Sequence, residues 1–326
     1  MKILFIHQKL ISFIERDIKI LESAHQVRQI QFRGLRDILA LVSGTMWCDL
    51  TFSWFGKLHA YFAVLFSKLL GKKTVVVAGG DDVAYEPDIH YGMFSFWWKK
   101  WCPLFLFRHA DLILSVSGYN HRETIENARA DPKKVKLVYH GFDALKWRPM
   151  PGIEKEILVL TVGRVTNENI IRKGLELFVR SAAYLPDVPF VLVGPWKDSA
   201  IESLKAIAPP NVTFTGVVSE DDLVRMYNRA KVYVQVSRHE GFGCSVAEAM
   251  LCECVPVVSR RTALPEVVGD CGFYMDNLSP ENVAAQIEKA LASDLGRQAR
   301  ERIAHEFPLE KRRDGLLAFV EEVMRS

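Results

Sequence analysis

Short apolar runs alternate with longer amphipathic segments along most of the chain. In the first half, runs rich in β-branched residues are separated by segments whose apolar positions recur every three or four residues. This alternation is typical of strand–helix–strand units and of parallel sheets. It predicts strands at KILFIH, LTFSW, KTVVVAG, LILSVS and KLVYHG, and helices at LHAYFAVLFSKLLG and GYNHRETIENAR.

One segment, residues 147–156 (WRPMPGIEKE), interrupts the alternation. It contains two prolines and a glycine among charged residues and has no periodicity, so it predicts a domain boundary. The pattern then restarts with strands ILVLTVG, FVLVG, VTFTGVV, KVYVQVS and VPVVS, and with helices KGLELFVRSAAYL, SEDDLVRMYNRA and SVAEAMLC. We therefore predict an α/β fold with two Rossmann-like, doubly wound parallel-sheet domains, residues 1–148 and 149–307. A ligand is expected at the carboxyl ends of the strands, in the cleft between the domains.

Composition narrows the class of protein. The chain has 326 residues, enough for two domains, and its 49% hydrophobic and 25% charged residues are typical of a soluble globular protein. A net charge of +3 is too small to indicate a nucleic-acid partner by itself. The longest apolar run, AYFAVLF, is too short to span a membrane, and the N-terminal run is too short for a signal peptide. We expect a cytoplasmic protein, either soluble or peripheral on the cytoplasmic face of the membrane.

The six cysteines are scattered and form no CxxC pair. Their spacing predicts neither a zinc site nor a disulfide framework, and favours buried thiols in a reducing compartment.

The segment RHEGFGCSVAEAM, residues 238–250, carries the first candidate chemistry. It follows the predicted strand KVYVQVS and leads into a helix, so it forms a strand, a glycine turn and a helix N-terminus. Backbone N–H groups and the helix dipole favour a bound anion there, and Gly241 and Gly243 let the backbone approach a ligand. Glu240 and Glu248 are then expected to face one molecule that carries hydroxyls and a phosphate.

A second interpretation explains Glu248 without any ligand. Ser245 and Glu248 have the spacing of a capping box, with Ser245 as the N-cap and Glu248 as the third helical residue. The local spacing alone fits capping and ligand binding equally well.

A second strand–helix junction adds cations. The strand ILVLTVG ends in Gly163 and Arg164, and an eight-residue loop, residues 165–172, leads to Lys173 and a helix. Arg164, Arg172 and Lys173 would place positive charge where a phosphate binds. A solvated basic loop is the competing interpretation.

Together these elements resemble the retaining glycosyltransferases of the GT-B fold, family 4 (glycosyl transferases group 1). The matching segments are VGR…RKG at residues 162–174, SRHEGFGCSVAEAM, and CVPVVSRRTALPEVVGDCGFYMD at residues 254–276. In the first half, ADLILSVSGY and VYHGFDALKWRP also fit, with His140 where the family usually has Asn. The resemblance is dense from about residue 110 to residue 276 and weak before that.

The resemblance implies a role for each matching residue. Glu240 would contact the hydroxyls of the donor sugar, Glu248 would hold the ribose, and Arg164 and Lys173 would neutralise the diphosphate. The other residues implied in donor binding are Gly163, Arg172, Gly241, Phe242, Gly243, Cys244, Ser245 and Val246. The implied enzyme is a hexosyltransferase that moves a hexose from a UDP- or GDP-sugar to a sugar, lipid-linked or small-molecule acceptor with retention of configuration. The final segment, residues 308–326, would form a helix that packs back on the first domain.

The implied reaction needs neither a cofactor nor a metal ion. The chain contains no DxD motif, which metal-dependent transferases of the other fold use to hold a divalent ion. The adjacent pair Asp221–Asp222 follows Ser219 at a predicted helix start and is interpreted as helix capping.

The first domain departs from the family pattern. The segment HQKLISFIERDIKILES lacks the family's glycines; within it, Arg16 could face the cleft, although a solvated ion pair with Asp17 is favoured. Gly79 and Gly80 stand where the family often has a histidine. Asp82 beside them is either an acceptor-side residue or a loop-capping aspartate.

The third departure lies in the donor half. The spacing from VGR to KG is longer than usual, and the extra residues VTNENIIR are expected to form a loop.

An aromatic and basic segment, MFSFWWKKWCPLFLFRH, raises the question of a membrane partner. Its central residues are Trp97, Trp98, Lys99, Lys100 and Trp101. They predict a patch that contacts a membrane surface. The alternative is a core helix whose tryptophans pack on the sheet, and this alternative is favoured.

Two rival functions stay open. One is a sugar-nucleotide epimerase of the same fold, and the other is a catalytically degenerate subunit that binds nucleotide or glycan. A dinucleotide-dependent dehydrogenase is disfavoured because no GxGxxG opens a helix after any strand.

Overall fold

The computed structural model describes residues 1–325. They form two compact units. The first comprises Met1–Gly141 and the C-terminal segment from Leu309, and the second comprises Phe142–Pro308.

The first unit contains a six-stranded parallel sheet in the order β2-β1-β3-β4-β5-β6. The strands are β1 (Lys2–His7), β2 (Gln26–Gln31), β3 (Leu50–Trp54), β4 (Lys73–Ala78), β5 (Leu112–Ser115) and β6 (Val135–Leu137). The helices that follow them are α1 (Ser12–Glu22), α2 (Ile38–Trp47), α3 (Leu58–Leu69), α4 (Trp101–His109) and α5 (Gly118–Glu126). Strands β3, β4 and β5 are almost wholly buried, as expected for strands covered by helices on both faces.

Strand β2 was missed in the sequence. Its residues, QVRQIQ, are largely polar, because β2 lies at the edge of the sheet and none of its residues is fully buried. The strand predicted at KLVYHG, residues 136–141, is observed as β6, Val135–Leu137, so only the first two residues of the prediction lie in a strand.

The second unit repeats the architecture, with strand order β12-β11-β10-β7-β8-β9, all parallel. The strands are β7 (Glu156–Val162), β8 (Phe190–Val193), β9 (Val212–Gly216), β10 (Ala230–Gln235), β11 (Val255–Ser259) and β12 (Phe273–Met275). The helices are α6 (Asn167–Arg172), α7 (Leu175–Ser181), α8 (Ala200–Ile207), α9 (Glu220–Arg229), α10 (Cys244–Leu251), α11 (Leu264–Val268), α12 (Pro280–Leu291) and α13 (Gly296–Glu306). Two six-stranded parallel sheets with flanking helices confirm the predicted α/β fold class.

The segment without periodicity, residues 147–156, is anchored in the second unit. Trp147 is buried and packs edge-on against Tyr227, with ring centroids 5.7 Å apart. The ammonium group of Lys155 donates to the carbonyl oxygens of Tyr227, Ala230 and Cys252 at 2.6–2.9 Å.

The last helix, α14 (Leu309–Arg325), belongs to the first unit. Its Arg312 is buried and donates through Nε and Nη2 to the carboxylate of Asp17 on α1, at 3.0 and 2.6 Å. The indole N–H of Trp54 donates to the same carboxylate at 2.9 Å. The solvated pair of Arg16 with Asp17 expected from the sequence is therefore wrong, because Asp17 points into the core toward a partner far along the chain.

Candidate functional site

The two sequence motifs meet at one edge of the second sheet. Strands β7 and β10 are hydrogen-bonded neighbours, with Val232 opposite Val159 and Tyr233 opposite Leu160. Because the strands are parallel, the loop after β7 and the loop after β10 leave the sheet at the same edge. The topology therefore brings Arg164, Arg172 and Lys173 to the side of the turn that contains Glu240.

A buried ion pair joins the two loops. The ammonium nitrogen of Lys173 lies 2.9 Å from Oε1 of Glu240, and Nη1 of Arg172 lies 3.8 Å from the same oxygen. Ser237 also donates to this oxygen at 2.9 Å. The side chains of Lys173 and Glu240 are only 17% and 12% exposed, so the pair is weakly screened by solvent.

The charge of Glu240 is set by these neighbours. Burial acts to raise the pKa of its carboxyl, but the charges of Lys173 and Arg172, with the hydrogen bonds from Lys173 and Ser237, lower it to about 2. Glu240 is thus an ionised hydrogen-bond acceptor at neutral pH and has no proton to donate.

Besides its ion pair with Glu240, Arg172 makes hydrogen bonds within its own helix and to the loop after β10. Its Nε and Nη2 donate to Oδ1 of Asn169 at 3.1 and 2.7 Å, and its Nη1 donates to the carbonyl of His239 at 3.2 Å. The backbone N–H of Arg238 donates to the carbonyl of Arg172 at 2.7 Å. Arg172 therefore fixes the loop that carries Glu240.

The residues between Arg164 and Lys173 were predicted to form a loop, and this is wrong. Most of them, Asn167–Arg172, form the helix α6, which Thr166 caps by accepting a hydrogen bond from the backbone N–H of Asn169 at 3.1 Å. Helix α6 ends at Arg172. Two residues later, Gly174 has a left-handed φ of +65°, and a Cβ added to it would lie 2.5 Å from the carbonyl oxygen of Val236. A glycine is therefore required directly after Lys173.

Arg164 is the exposed cation of the group. Its carbonyl accepts a hydrogen bond from Asn169 at 2.8 Å, which fixes the backbone. Its guanidinium is exposed and makes no ion pair or hydrogen bond within residues 1–325. Gly163 before it is buried, and an added Cβ would lie 3.3 Å from Cδ of Lys173.

Helix α10 starts two residues earlier than the capping box requires. Its N-cap is Gly243, with φ +106°, and Cys244, Ser245 and Val246 are the first three helical residues. The capping box of Ser245 and Glu248 is therefore wrong, since Glu248 is the fifth helical residue and the first turn contains no acidic side chain. Backbone N–H groups of the first turn have no acceptor within the helix, which is the arrangement that binds anions.

The turn before α10 is held by apolar packing. The ring of Phe242 is buried and contacts Phe142 and Phe307, with centroids 5.8 and 5.3 Å away. Gly241 precedes it and is partly exposed. At Gly243, an added Cβ would lie 3.0 Å from Leu264 and 3.1 Å from Val246, so a side chain there would press on the helix start.

The charges of Glu240 and Glu248 both affect the pKa of one buried phenol, that of Tyr233. Tyr233, on β10, is fully buried; burial raises its pKa, and the charges of both glutamates raise it further. The pKa of Tyr227 is raised by burial, by Tyr233 and by Glu248. Glu248 is itself partly exposed.

The residues of the first unit that were predicted to lie on the acceptor side have different surroundings. Asp82 is fully buried, and its carboxylate accepts from the backbone N–H groups of Gly56, Gly79 and Gly80 at 2.6–3.0 Å. This is the loop-capping arrangement. Burial and the neighbouring Asp81 raise the pKa of Asp82 to about 6, against the effect of these hydrogen bonds.

The ring of Phe55 accounts for the absence of a side chain at position 79. No pattern in the sequence pointed to this residue. A Cβ added at Gly79 would overlap the ring of Phe55, so the family's histidine does not fit at that position. Arg16 is half-buried and donates to the carbonyl of Gly141. His140 is buried beside Phe13 and Trp54, and burial with the charges of Arg312 and Arg16 keeps its pKa well below the usual value.

The tryptophans of the aromatic segment are not in the core. Trp97 is 77% exposed, and Trp98 and Trp101 are each 53% exposed. The core-helix interpretation is therefore wrong, because α4 starts only at Trp101 and buries its other face through Cys102, Pro103, Leu106 and Phe107.

Four further findings concern the described residues. The side chains of His, Cys, Asp and Glu within residues 1–325 form no group of three or more that could hold a metal ion. None of the helices described is both long and apolar enough to cross a bilayer. The six cysteines are free thiols, four of them buried. As predicted, Ser219 caps α9 by accepting from the N–H of Asp222 at 3.1 Å.

Known proteins resemble this chain in sequence and fold. Residues 143–306 match the family model described as glycosyl transferases group 1. The chain is 29% identical over 208 residues to O-antigen chain mannosyltransferase B of Escherichia coli, covering 58% of this chain and 54% of that protein. It is 26% identical over 223 residues to D-inositol 3-phosphate glycosyltransferase of Mycolicibacterium vanbaalenii, covering 60% and 49%. The matches thus span about half the length of these curated relatives.

A solved structure extends the likeness of fold to nearly the whole chain. Anabaena HepE, in its complex with UDP and glucose, superposes with a TM-score of 0.83 at 17% sequence identity, over 98% of this chain and 99% of that one. The family match includes both strand–helix junctions described above. The chain therefore belongs to the glycosyl transferases group 1, and it has the fold predicted from its sequence.

Proposed function

We propose that this protein transfers a hexose from a UDP- or GDP-sugar to a sugar, lipid-linked or small-molecule acceptor, with retention of configuration and without a metal ion. The observation that carries the proposal is the buried pair of Lys173 and Glu240 beside the exposed Arg164 and the N-terminus of α10. An anionic diphosphate and a hydroxyl-rich sugar need this combination of cations, backbone N–H groups and an ionised carboxylate.

The donor fits these residues as follows. The diphosphate would bind Arg164 and Lys173 and the backbone N–H groups from Gly243 to Val246. The sugar hydroxyls would donate to Glu240, whose low pKa keeps it ionised. The ribose hydroxyls would donate to Glu248, which no longer has a capping role to explain it.

The chemistry follows from charge. As the bond between the anomeric carbon and the diphosphate oxygen breaks, negative charge develops on the diphosphate, and preorganised cations stabilise it. The acceptor oxygen then bonds to the anomeric carbon, and its proton passes to an oxygen of the leaving diphosphate. Glu240 is paired with Lys173 and carries no proton, so it positions the sugar and leaves the proton transfer to the phosphate.

The names of the relatives are compatible with this proposal. HepE was solved with UDP and glucose, and a curated relative is named a mannosyltransferase. These names support a nucleotide-activated hexose as donor and a glycan among the acceptors, and they leave the base and the sugar to experiment.

We propose a cytoplasmic site of action, with peripheral contact to the membrane through Trp97, Trp98, Lys99, Lys100 and Trp101. This contact would bring a lipid-linked acceptor within reach. Its support is the exposure of the three indoles and two lysines of this segment.

The test is calorimetric titration with UDP, GDP and ADP on the wild type and on Glu248→Gln. One nucleotide should bind, and the variant should bind it roughly 10-fold more weakly, because a charged hydrogen bond contributes about 1.5–3 kcal/mol. Glu253→Gln, on the turn after α10, is the matched control and should bind like the wild type. If no nucleotide binds, or if Glu248→Gln binds equally well, the proposed donor site is wrong.

A further inference from the structure

The first unit exposes an indole patch, defined here as Trp97, Trp98 and Trp101. The rings of Trp97 and Trp98 lie edge to face with centroids 5.8 Å apart, and Trp101 contacts Tyr61 at 5.2 Å. Indoles bury more apolar area than most side chains, and a contiguous exposed group of them marks an interaction surface.

A cavity of about 450 Å³ opens beside this patch. Trp97 lines it and is also part of the patch, and Tyr85 adds a second aromatic wall. Two cations, Lys100 and Arg129, line the same cavity with one carboxylate, Glu126. Neither cation has an ion-pair partner within residues 1–325.

We infer that this surface docks on an anionic phospholipid bilayer, with the indole patch in the membrane interface and a lipid phosphate in the cavity between Lys100 and Arg129. Tryptophan is enriched at membrane–water interfaces, where its ring lies among the headgroups. Arg offers a fork for phosphate oxygens and Lys a mobile point charge.

The charge pattern favours lipid over a protein partner. Lys99, Lys100 and Arg129 are exposed cations around the patch, and Glu126 is the acidic group that lines the cavity. A bilayer with anionic headgroups offers a negative surface to all of these cations at once. The negative charge of Glu126 repels a bound phosphate, so replacing Glu126 by a neutral residue should strengthen binding, whereas replacing either cation should weaken it.

The inference rests on the proposed membrane contact and does not depend on the donor chemistry. The experiment is co-sedimentation of the protein with three kinds of vesicle. They are made of phosphatidylcholine alone, of phosphatidylcholine with phosphatidylglycerol, and of phosphatidylcholine with a fatty acid at equal surface charge.

The wild type should bind the phosphatidylglycerol vesicles best. Lys100→Gln and Arg129→Gln should each bind them about fivefold more weakly, the effect of one basic residue near such a surface, and Glu126→Gln should bind more tightly. Lys19→Gln, which removes one exposed charge from α1, is the matched control and should have no effect. Thermal unfolding confirms that each variant is folded.

Each of the other possible outcomes overturns a specific part of the inference. If no vesicle is bound, both the membrane contact and the phosphate site are wrong. If Lys100→Gln and Arg129→Gln behave like Lys19→Gln, or if fatty-acid vesicles bind as well as phosphatidylglycerol, the phosphate site is wrong. A loss of binding in Trp97→Ser with no effect at the two cations leaves a membrane contact without the site. Nucleotide titration of the same variants separates these failures from failure of the donor site.

Discussion

The ammonium nitrogen of Lys173 lies 2.9 Å from the carboxylate of Glu240, although 67 residues separate them in sequence. The pair exists because β7 and β10 are adjacent parallel strands. The same contact fixes the position of the carboxylate and its state of ionisation.

The stability of the protein should depend on pH through Glu240. Its pKa of about 2 in the folded state is below the ordinary value of 4.5. The stabilisation is therefore present above pH 4.5 and is lost as pH falls toward 2, with a magnitude on the order of 3 kcal/mol. Urea unfolding from pH 7 to pH 3 should show this loss in the wild type and a smaller loss in Glu240→Gln. The exposed Glu176→Gln is the control, and identical pH profiles for all three proteins would contradict the prediction.

Arg164 and Arg172 should respond differently to the same change. Arg164→Gln removes an exposed cation, so we expect transfer to slow by about 10²–10³ with little change in stability. Arg172→Gln removes hydrogen bonds to Asn169 and His239, so we expect a loss of about 1–3 kcal/mol of unfolding free energy. Initial rates and urea unfolding on both variants make the comparison. If the two variants lose the same amount of activity and the same amount of stability, the separate roles assigned to Arg164 and Arg172 are wrong.

Gly174 should not tolerate a side chain. Gly174→Ala combines a left-handed φ with a Cβ 2.5 Å from the carbonyl oxygen of Val236, so we expect a loss of about 2–4 kcal/mol. Gly152→Ala is the matched control. Its φ is also positive, at +80°, but no atom lies within 4 Å of the added Cβ, so only the smaller backbone strain remains. Thermal unfolding should show a larger loss of stability in Gly174→Ala than in Gly152→Ala, and equal losses would contradict the prediction.

A double-mutant cycle should couple Gly79 and Phe55. Gly79→Ala should destabilise the protein by about 1–3 kcal/mol, because the new methyl group overlaps the ring of Phe55. In a Phe55→Ala background the same change should cost at least 0.5 kcal/mol less, roughly the smallest coupling expected of contacting residues. Additive effects would show that Phe55 is not what excludes a side chain from position 79.

The sequence predicted the candidate site better than it predicted the surroundings of individual residues. Both strand–helix junctions could be found because buried parallel strands have continuous apolar runs and glycine turns follow them. The edge strand β2 was missed because its residues are mostly polar and lack that pattern.

Two errors had different causes, one a neighbouring residue and the other a partner far along the chain. Ser245 and Glu248 have the spacing of a capping box, but the position of Gly243 starts the helix earlier. Asp17 was interpreted as solvated because its partner, Arg312, lies 295 residues away. No local pattern contains that information, since it depends on which elements pack together.

The ion pair of Asp17 and Arg312 also has a consequence for biosynthesis. The whole second unit, Phe142–Pro308, is made between the two parts of the first. At about 5–20 residues per second, translation of that insertion takes roughly 10–30 s. During this time the first unit contains the carboxylate of Asp17, but its ion-pair partner, Arg312, has not yet been synthesised. The unit that emerges first from the ribosome is thus the one whose last helix, with the counter-charge of Asp17, is synthesised last.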